Sequence, residues 1–389
     1  MIKIENKELC CSCQACFNIC PKGAILMKED VEGFKYPLID KSKCIGCNLC
    51  EKVCPILNRK NSSNKRKPDI YAAWSKSNEI RIDSTSGGIF TELAKVIYQE
   101  KGMVCAAIYN EDWMVEHYLS SEEKDLDNLR SSKYLQSDIG KSYSKIKNAL
   151  LQNKKVLFCG SPCQVAGLYG YLQKDYEKLI TVDFICRGMN SPKIFKKYLK
   201  TLEQKYKSKV TKIKFKNKIN GWHNFSTKID FENGKTYVGG RYTDSYMVGY
   251  LKYNTFMRPS CYDCKFKQLP RKADITLADF WGIEKIDKSL DEDKGTSMIL
   301  INSSKGEELF EKIKAKIIYK KIISEEVFNE NICIAKSPER TEARDFVFKN
   351  IDKLSYEELQ KKYFPAPNFL EKVKIKIKNS KVYKKMKEK

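Results

Sequence analysis

Two runs of cysteine carry most of the chemistry legible in this chain. The first is Cys10-x2-Cys13-x2-Cys16-x3-Cys20-Pro21 and the second is Cys44-x2-Cys47-x2-Cys50-x3-Cys54-Pro55. Three thiolates at this spacing wrap a short loop around three corners of a 4Fe–4S cubane. The fourth, set off before a proline, reaches a neighbouring cubane. The pattern assigns Cys10, Cys13, Cys16 and Cys54 to one cluster, and Cys44, Cys47, Cys50 and Cys20 to a second. A pair of zinc knuckles is the competing chemistry, but zinc sites close with paired C-x2-C units and do not call for the x3-Cys-Pro step. The chain has 16 cysteines and only 2 histidines, His117 and His223, so thiolate-only ligation is expected. Gly46 lets the second loop aim N–H groups at cluster sulfur, and Ser12 holds the equivalent place in the first. Cys11, an extra thiol in the first loop, reads as a bystander.

Two copies of one motif predict a dicluster ferredoxin-type domain over residues 1–58, too small to be stable without its clusters. Residues 59–68 are polar, lack periodicity and end in Pro68, which predicts a linker. Beyond it the pattern alternates. Ile70–Trp74 reads as a strand, Ile89–Gln99 as a helix after the turn Ser86-Gly87-Gly88, and Val104–Tyr109 as a strand. Lys155–Cys159 is a strand, followed by Gly160-Ser161-Pro162-Cys163 and a helix to Leu172, and Ile180–Cys186 is another strand. Strand–loop–helix alternation argues for an α/β core with ligands at strand ends. Val210–Phe215, Ser226–Phe231 and Thr236–Val238 alternate like an antiparallel excursion. Ile299–Ile301 is a late strand, Lys305–Lys316 a helix. The expected fold class is thus α+β/α/β: a dicluster ferredoxin-like domain, then a mixed α/β core with an antiparallel excursion.

The other cysteines are Cys105, Cys159, Cys163, Cys186, Cys261, Cys264 and Cys333. Cys261-x2-Cys264 is a chelating pair, and Cys163 and Cys186 follow predicted strand ends; spacing alone leaves zinc open as a competitor here. The chain resembles the family of coenzyme F420 hydrogenase and dehydrogenase beta subunits. The likeness rests on Ser86-Gly87-Gly88, Phe158–Leu168, Asp183–Gly188, Arg258–Cys264, Arg271–Gly282 and Gly295-Thr296-Ser297, in family order over roughly residues 69–305. It implies a core in two parts, residues 69–140 and 141–350, before a basic tail at 351–389. It also implies a third 4Fe–4S cluster on Cys163, Cys186, Cys261 and Cys264, and an FAD. Ser86, Gly87, Gly88, Gly160, Ser161, Pro162, Asp279, Phe280 and Gly282 are the flavin-side candidates, with core packing the competing role for Phe280 and Trp281. The chain departs from the family in having Arg187 where Cys-His-Gly is usual, which exchanges a titratable ring for a lasting cation, and Ala278 where Gly-Asp-Phe-Trp-Gly is usual.

With 73 Lys+Arg against 49 Asp+Glu, the formal charge is +24. Each oxidised cluster with its thiolates contributes about −2, so three bring the total to roughly +18. Lysine is spread along the chain rather than gathered beside aromatics, which argues against nucleic-acid binding. Lys372–Lys389 is the exception, a candidate for peripheral contact with an anionic membrane or an acidic partner; a frayed basic helix is the plainer reading. No apolar run approaches the ~18 residues of a spanning helix, and no secretory h-region is visible, so a cytoplasmic protein is expected. The resemblance implies an FAD- and 4Fe–4S-dependent oxidoreductase linking a ferredoxin-type electron-carrier protein or carrier enzyme subunit to a small-molecule substrate, or to a deazaflavin or nicotinamide-type carrier. A reductase in a biosynthetic (for example polysaccharide) pathway is the favoured version. The alternative is a non-catalytic electron relay serving a separate enzyme, and a weaker third is a basic membrane- or nucleic-acid-binding protein.

Overall fold

Each cysteine run is followed or preceded by apolar residues that bury against it. In the first half-motif the strands β1 (Ile25–Glu29) and β2 (Lys35–Ile39) pair antiparallel, Ile25 facing Ile39. Ile2, Phe17, Ile25 and Ile39 enclose Cys16, Cys20, Cys50 and Cys54. The computed structural model describes residues 2, 6–58, 66–323, 325–368 and 370–371. Residues 59–65 of the expected linker and Lys372–Lys389 of the expected tail therefore lie outside the described residues.

β3 (Asp69–Ser75), β4 (Met103–Tyr109), β6 (Val156–Cys159) and β7 (Leu179–Phe184) carry the expected strand runs, β7 ending two residues before Cys186, while β5 (Val115–Ser120) is a strand not expected from the sequence. They are followed by β8 (Val210–Asn217), β9 (Ser226–Phe231), β10 (Thr236–Gly240), β11 (Ile275–Asp279), β12 (Ser297–Ile301) and β13 (Ile317–Lys321). Among the described residues, eight of these form one sheet in the order β13-β3-β12-β11-β7-β6-β4-β5. Its centre is parallel: β4 with β6, β6 with β7, and β7 with β11. β12 runs antiparallel to β11, and β3 antiparallel to β12. One edge of the sheet consequently collects the carboxyl ends of β3, β4, β6, β7 and β11 together with the start of β12.

Helices cover both faces of this sheet. Ile89–Gln99 starts at Gly88, whose φ of +87° suits glycine, and buries Ile89, Leu93, Ala94 and Ile97 with Leu309, Phe310 and Ile313. On the other face Tyr143, Ile146 and Leu150 pack with Val165, Leu168, Phe158 and Val156, and Cys13, Ala15 and Val53 of the N-terminal domain join that core. The chain divides into two compact units: the described parts of Met1–Met189 with Arg258–Pro338, and of Asn190–Met257 with Glu339–Lys389. The excursion is thus the sheet of the second unit, β10-β9-β8, with the helix Pro192–Tyr206. Its core is aromatic, Phe195, Tyr198, Phe215 and Tyr246 lying in ring contact. Buried Asp244 accepts from Tyr198 Oη at 2.7 Å and Tyr237 Oη at 2.8 Å.

The stretch expected as a basic tail, residues 351–389, begins with ordered structure. Tyr356–Tyr363 is a capped helix, with Ser355 accepting from the Glu358 N–H. Tyr356, Leu359 and Phe364 are buried, an apolar stripe at helical spacing within a lysine-rich run. No helix among the described residues is long and apolar enough to cross a membrane.

Candidate metal centres

The duplication read from the sequence is repeated in the backbone of the two loops. Ser12 and Gly46 both take the left-handed conformation (φ +54° and +70°), as do Gln14 and Asn48 (φ +62° and +56°), which open the short helices Ala15–Ile19 and Leu49–Lys52. Non-glycine residues held there store strain that the surroundings must repay. Gln14 shows how: its amide donates to Asp138 Oδ1 at 2.7 Å and accepts the Gly140 N–H at 2.9 Å.

In the first set, Cys16 lies within charge-repelling reach of Cys10 and Cys54, and Cys13 within reach of Cys16 and Cys54. Burial, then the proximity of Cys10 and Cys54, pushes the Cys16 thiol up to about 12. The second set, Cys20, Cys44, Cys47 and Cys50, lines one cavity of about 400 Å³ with Ile39, Ile45 and Gly46. Backbone N–H groups point at these sulfurs, Ala24 at Cys20 and Ile2 at Cys50, both at 3.3 Å. Cys47 is exposed, so this site is the one nearest solvent.

Cys163, Cys186, Cys261 and Cys264 line a cavity of about 580 Å³ at the carboxyl edge of the large sheet. Cys163 sits in the first turn of the helix Pro162–Leu172, which Ser161 caps, and the Ser161 hydroxyl is 3.2 Å from the Cys163 sulfur. Cys186 follows β7, and the Met189 N–H donates to Cys261 at 3.4 Å. Burial and then Cys264 push the Cys261 thiol up to about 12, and Cys186 and Cys163 are also raised. Four crowded, desolvated thiols ionise together only around a cationic core, which is what a 4Fe–4S cluster supplies. Ser260 Oγ, buried on the cavity wall, makes no hydrogen bond among the described residues. Each set of four thiols has the donor chemistry that a 4Fe–4S cluster would need.

The flavin-side candidates collect at the same edge, with their local needs visible. The Ser86 hydroxyl donates to Thr296 O at 2.9 Å, and the Gly87 N–H to Ser297 Oγ at 2.8 Å. A Cβ on Gly87 would stand 2.4 Å from Ala73 O, so close packing against β3 already requires that glycine. Gly160 lies against the Phe158 ring, and Pro162 begins its helix. Asp279 ends β11, and Gly282 has φ +82°. Phe280 is wholly enclosed with Trp74, Met298 and Ile283, so its ring serves packing.

Three features escape the cysteine pattern. Cys11 lines the core cavity together with Cys163; only the fold brings Cys163 to it. Arg258 is buried, donating to Cys10 O at 2.7 Å, Gln136 Oε1 at 3.0 Å and Lys35 O at 3.0 Å, and it stacks over Tyr36. Lys133 Nζ is buried among the carbonyls of Leu129, Arg130 and Ser131, and desolvation pushes it down to about 7. His117 is no ligand: it stacks on Phe158 and meets Ser137 Oγ at 3.0 Å and Cys159 O at 3.1 Å.

Comparison with known proteins agrees with this layout. Residues 9–57 match a 4Fe-4S dicluster domain. Residues 70–142 match the N-term model of the coenzyme F420 hydrogenase/dehydrogenase beta subunit, and residues 153–325 the model of its C terminus, together well over half of the chain. The chain belongs to the family of coenzyme F420 hydrogenase/dehydrogenase beta subunits. Within that family it carries a 4Fe-4S dicluster domain at residues 9–57. A subunit of the F(420)H(2) dehydrogenase of Methanosarcina mazei is 25% identical over 193 residues, 46% of this chain and 53% of that protein. The coenzyme F420-dependent sulfite reductase of Methanocaldococcus jannaschii is 27% identical over 170 residues, 43% of this chain and 26% of that protein. The chain thus spans about half the length of the first relative and a quarter of the second. Among solved structures, a chain of the F420-reducing NiFe hydrogenase complex from Methanosarcina barkeri aligns with a TM-score of 0.47 at 19% identity, covering 75% of this chain and 91% of that one.

Proposed function

We propose that the chain is an iron–sulfur flavoprotein oxidoreductase that couples one-electron carriage in its N-terminal domain to two-electron chemistry at the carboxyl edge of its large sheet. The observation that carries this reading is one helix. Pro162–Leu172 holds Cys163 in its first turn, while its Gly167 accepts Cys13 so closely that a Cβ there would stand 2.7 Å from Cys13 Cβ. A cysteine of the first set is therefore packed against the same helix that carries one of the core set. Exposed Cys47 marks the second set as the entrance for an electron-carrier protein or a carrier enzyme's own subunit.

Cys163, Cys186, Cys261 and Cys264 would hold the third cluster. FAD would lie at the sheet edge, beside Ser86–Gly88, Gly160–Pro162 and the β11 end, where open α/β sheets place their ligands. Flavin supplies the exchange of one hydride for two single electrons. The organic partner is a small-molecule substrate or a deazaflavin or nicotinamide-type carrier; the relatives' names, which carry coenzyme F420, support the deazaflavin. A second reading, a relay that lends electrons to a separate enzyme, is favoured by the relative named as one subunit of a dehydrogenase.

Iron and flavin content test this. Anaerobically prepared protein should carry about twelve iron atoms and one releasable flavin per chain. Cys264→Ser should lose about four iron atoms and spare the other clusters. About eight iron atoms with no flavin would remove the enzyme reading and leave the relay.

A further inference from the structure

Cys11 sits where the first cluster set and the core set meet. Its neighbours in sequence, Cys10 and Cys13, belong to the first set. Its side chain nonetheless lines the core cavity with Cys163, Cys186, Cys261 and Cys264. It shares that wall with Cys163 of the core set, and along the chain only Ser12 separates it from Cys13 of the first set. The placement is held by the backbone. Gln136 Nε2 donates to Cys11 O at 3.2 Å, Arg258 Nε donates to Cys10 O at 2.7 Å, and Ser12 is locked at φ +54°. A bystander thiol needs no such fixing.

We infer that Cys11 is the bridge between the two sites, a positioning residue whose thiol contacts a ligand sulfur of each and joins them into one electron path. The inference rests on the three-cluster reading above. The cluster that Cys10, Cys13, Cys16 and Cys54 would hold would give up one electron to the cluster that Cys163, Cys186, Cys261 and Cys264 would hold. One would be oxidised by one electron as the other is reduced by one, while Cys11 would keep its bonds and its proton. A hydrogen bond to a ligand sulfur raises a cluster's reduction potential, and the single Cys11 S–H donates to one ligand sulfur at a time, so the partner it takes also sets the driving force.

The experiment compares wild type, Cys11→Ala and Cys11→Ser by iron content, by redox titration followed with electron paramagnetic resonance, and by the rate at which the core site is reduced after rapid mixing with dithionite. Removing an outer-shell partner of a metal ligand commonly costs about 10–100-fold. Cys11→Ala should therefore keep all its iron, lower the potential of the cluster whose ligand accepts the Cys11 S–H, and slow core-site reduction at least about tenfold. Cys11→Ser, which keeps a donor in place, should recover much of both. Unchanged potentials and rate in Cys11→Ala would overturn the bridge. Loss of about four iron atoms in both variants would also overturn it, making Cys11 a ligand. A wild type with no core cluster sinks the reading beneath it instead, and the wild-type spectrum alone reveals that.

Discussion

His117 shows what burial does to a single side chain here. Desolvation holds its imidazole down at about 4, helped by the charge of Lys133, against an ordinary value near ~6.5. Between those two values the unfolded chain binds a proton that the folded chain refuses. Stability therefore rises with pH across that window, and is lost as pH falls from about 6.5 through about 4, by at most about 3 kcal/mol. His117→Gln should flatten the dependence of the unfolding midpoint on pH from about 4 to 6.5, compared with wild type measured with its clusters in place. Equal slopes would assign the acid sensitivity to other groups. At this scale the sequence was readable where chemistry is local. Eight ligands follow from spacing within runs of about a dozen residues, and the bland reading of Phe280 agrees with its place in the core. A role for Cys11 is not legible in the sequence, because Cys163 reaches the same cavity wall only through the tertiary fold.

Helix Pro162–Leu172 decides how the N-terminal domain is seated. Gly167 and Gly170 lie one turn apart on it; a Cβ on Gly170 would stand 2.3 Å from Val53 O. The seat is completed by Gln14 and Asn18, whose amides reach Asp138 and Gly140 O, by an ion pair of Lys35 with Asp138, and by Arg258. Gly170→Ala should overpack this contact at a cost of about 1–3 kcal/mol. Its marker is faster hydrogen exchange at the Gly140 amide, which donates to Gln14 Oε1. Unchanged exchange would mean that the domain does not rely on this seat. Strands and crossover helices of the α/β core were legible because their apolar runs are strong and bounded by Gly, Ser and Pro. The glycine pair was not, since two helical glycines separated by three positions also read as ordinary sequence. Tyr356–Tyr363 was hidden for a related reason: lysines mask an apolar stripe only three residues wide.

Across the whole molecule the excess of positive charge is unevenly spent. The core cavity is lined by Arg187, Arg258, Lys265, Lys267 and Arg271 against Glu8 and Asp263, whereas the second-set cavity has Lys22 alone. Lys267 Nζ donates to Cys186 O at 2.6 Å and to Cys333 O at 3.1 Å, so its charge is fixed beside the thiolates. Cations around an anionic cluster favour its reduced, more negative state. A cluster held at the core site should accordingly have a higher potential than one held by the second set, which would make the inward direction downhill. Arg187, on the cavity wall and 3.9 Å from the Cys333 sulfur through its guanidinium, is the residue by which this chain departs from the family's Cys-His-Gly. A guanidinium keeps its charge throughout the physiological range, while an imidazole loses its own near pH ~6.5. In Arg187→His the core-cluster potential should therefore fall as pH rises from about 5 to 8, while in wild type it stays level. Redox titration at several pH values reads this directly. A level potential in the variant would show that the charge at position 187 does not reach the site, and that the remaining cations set its potential.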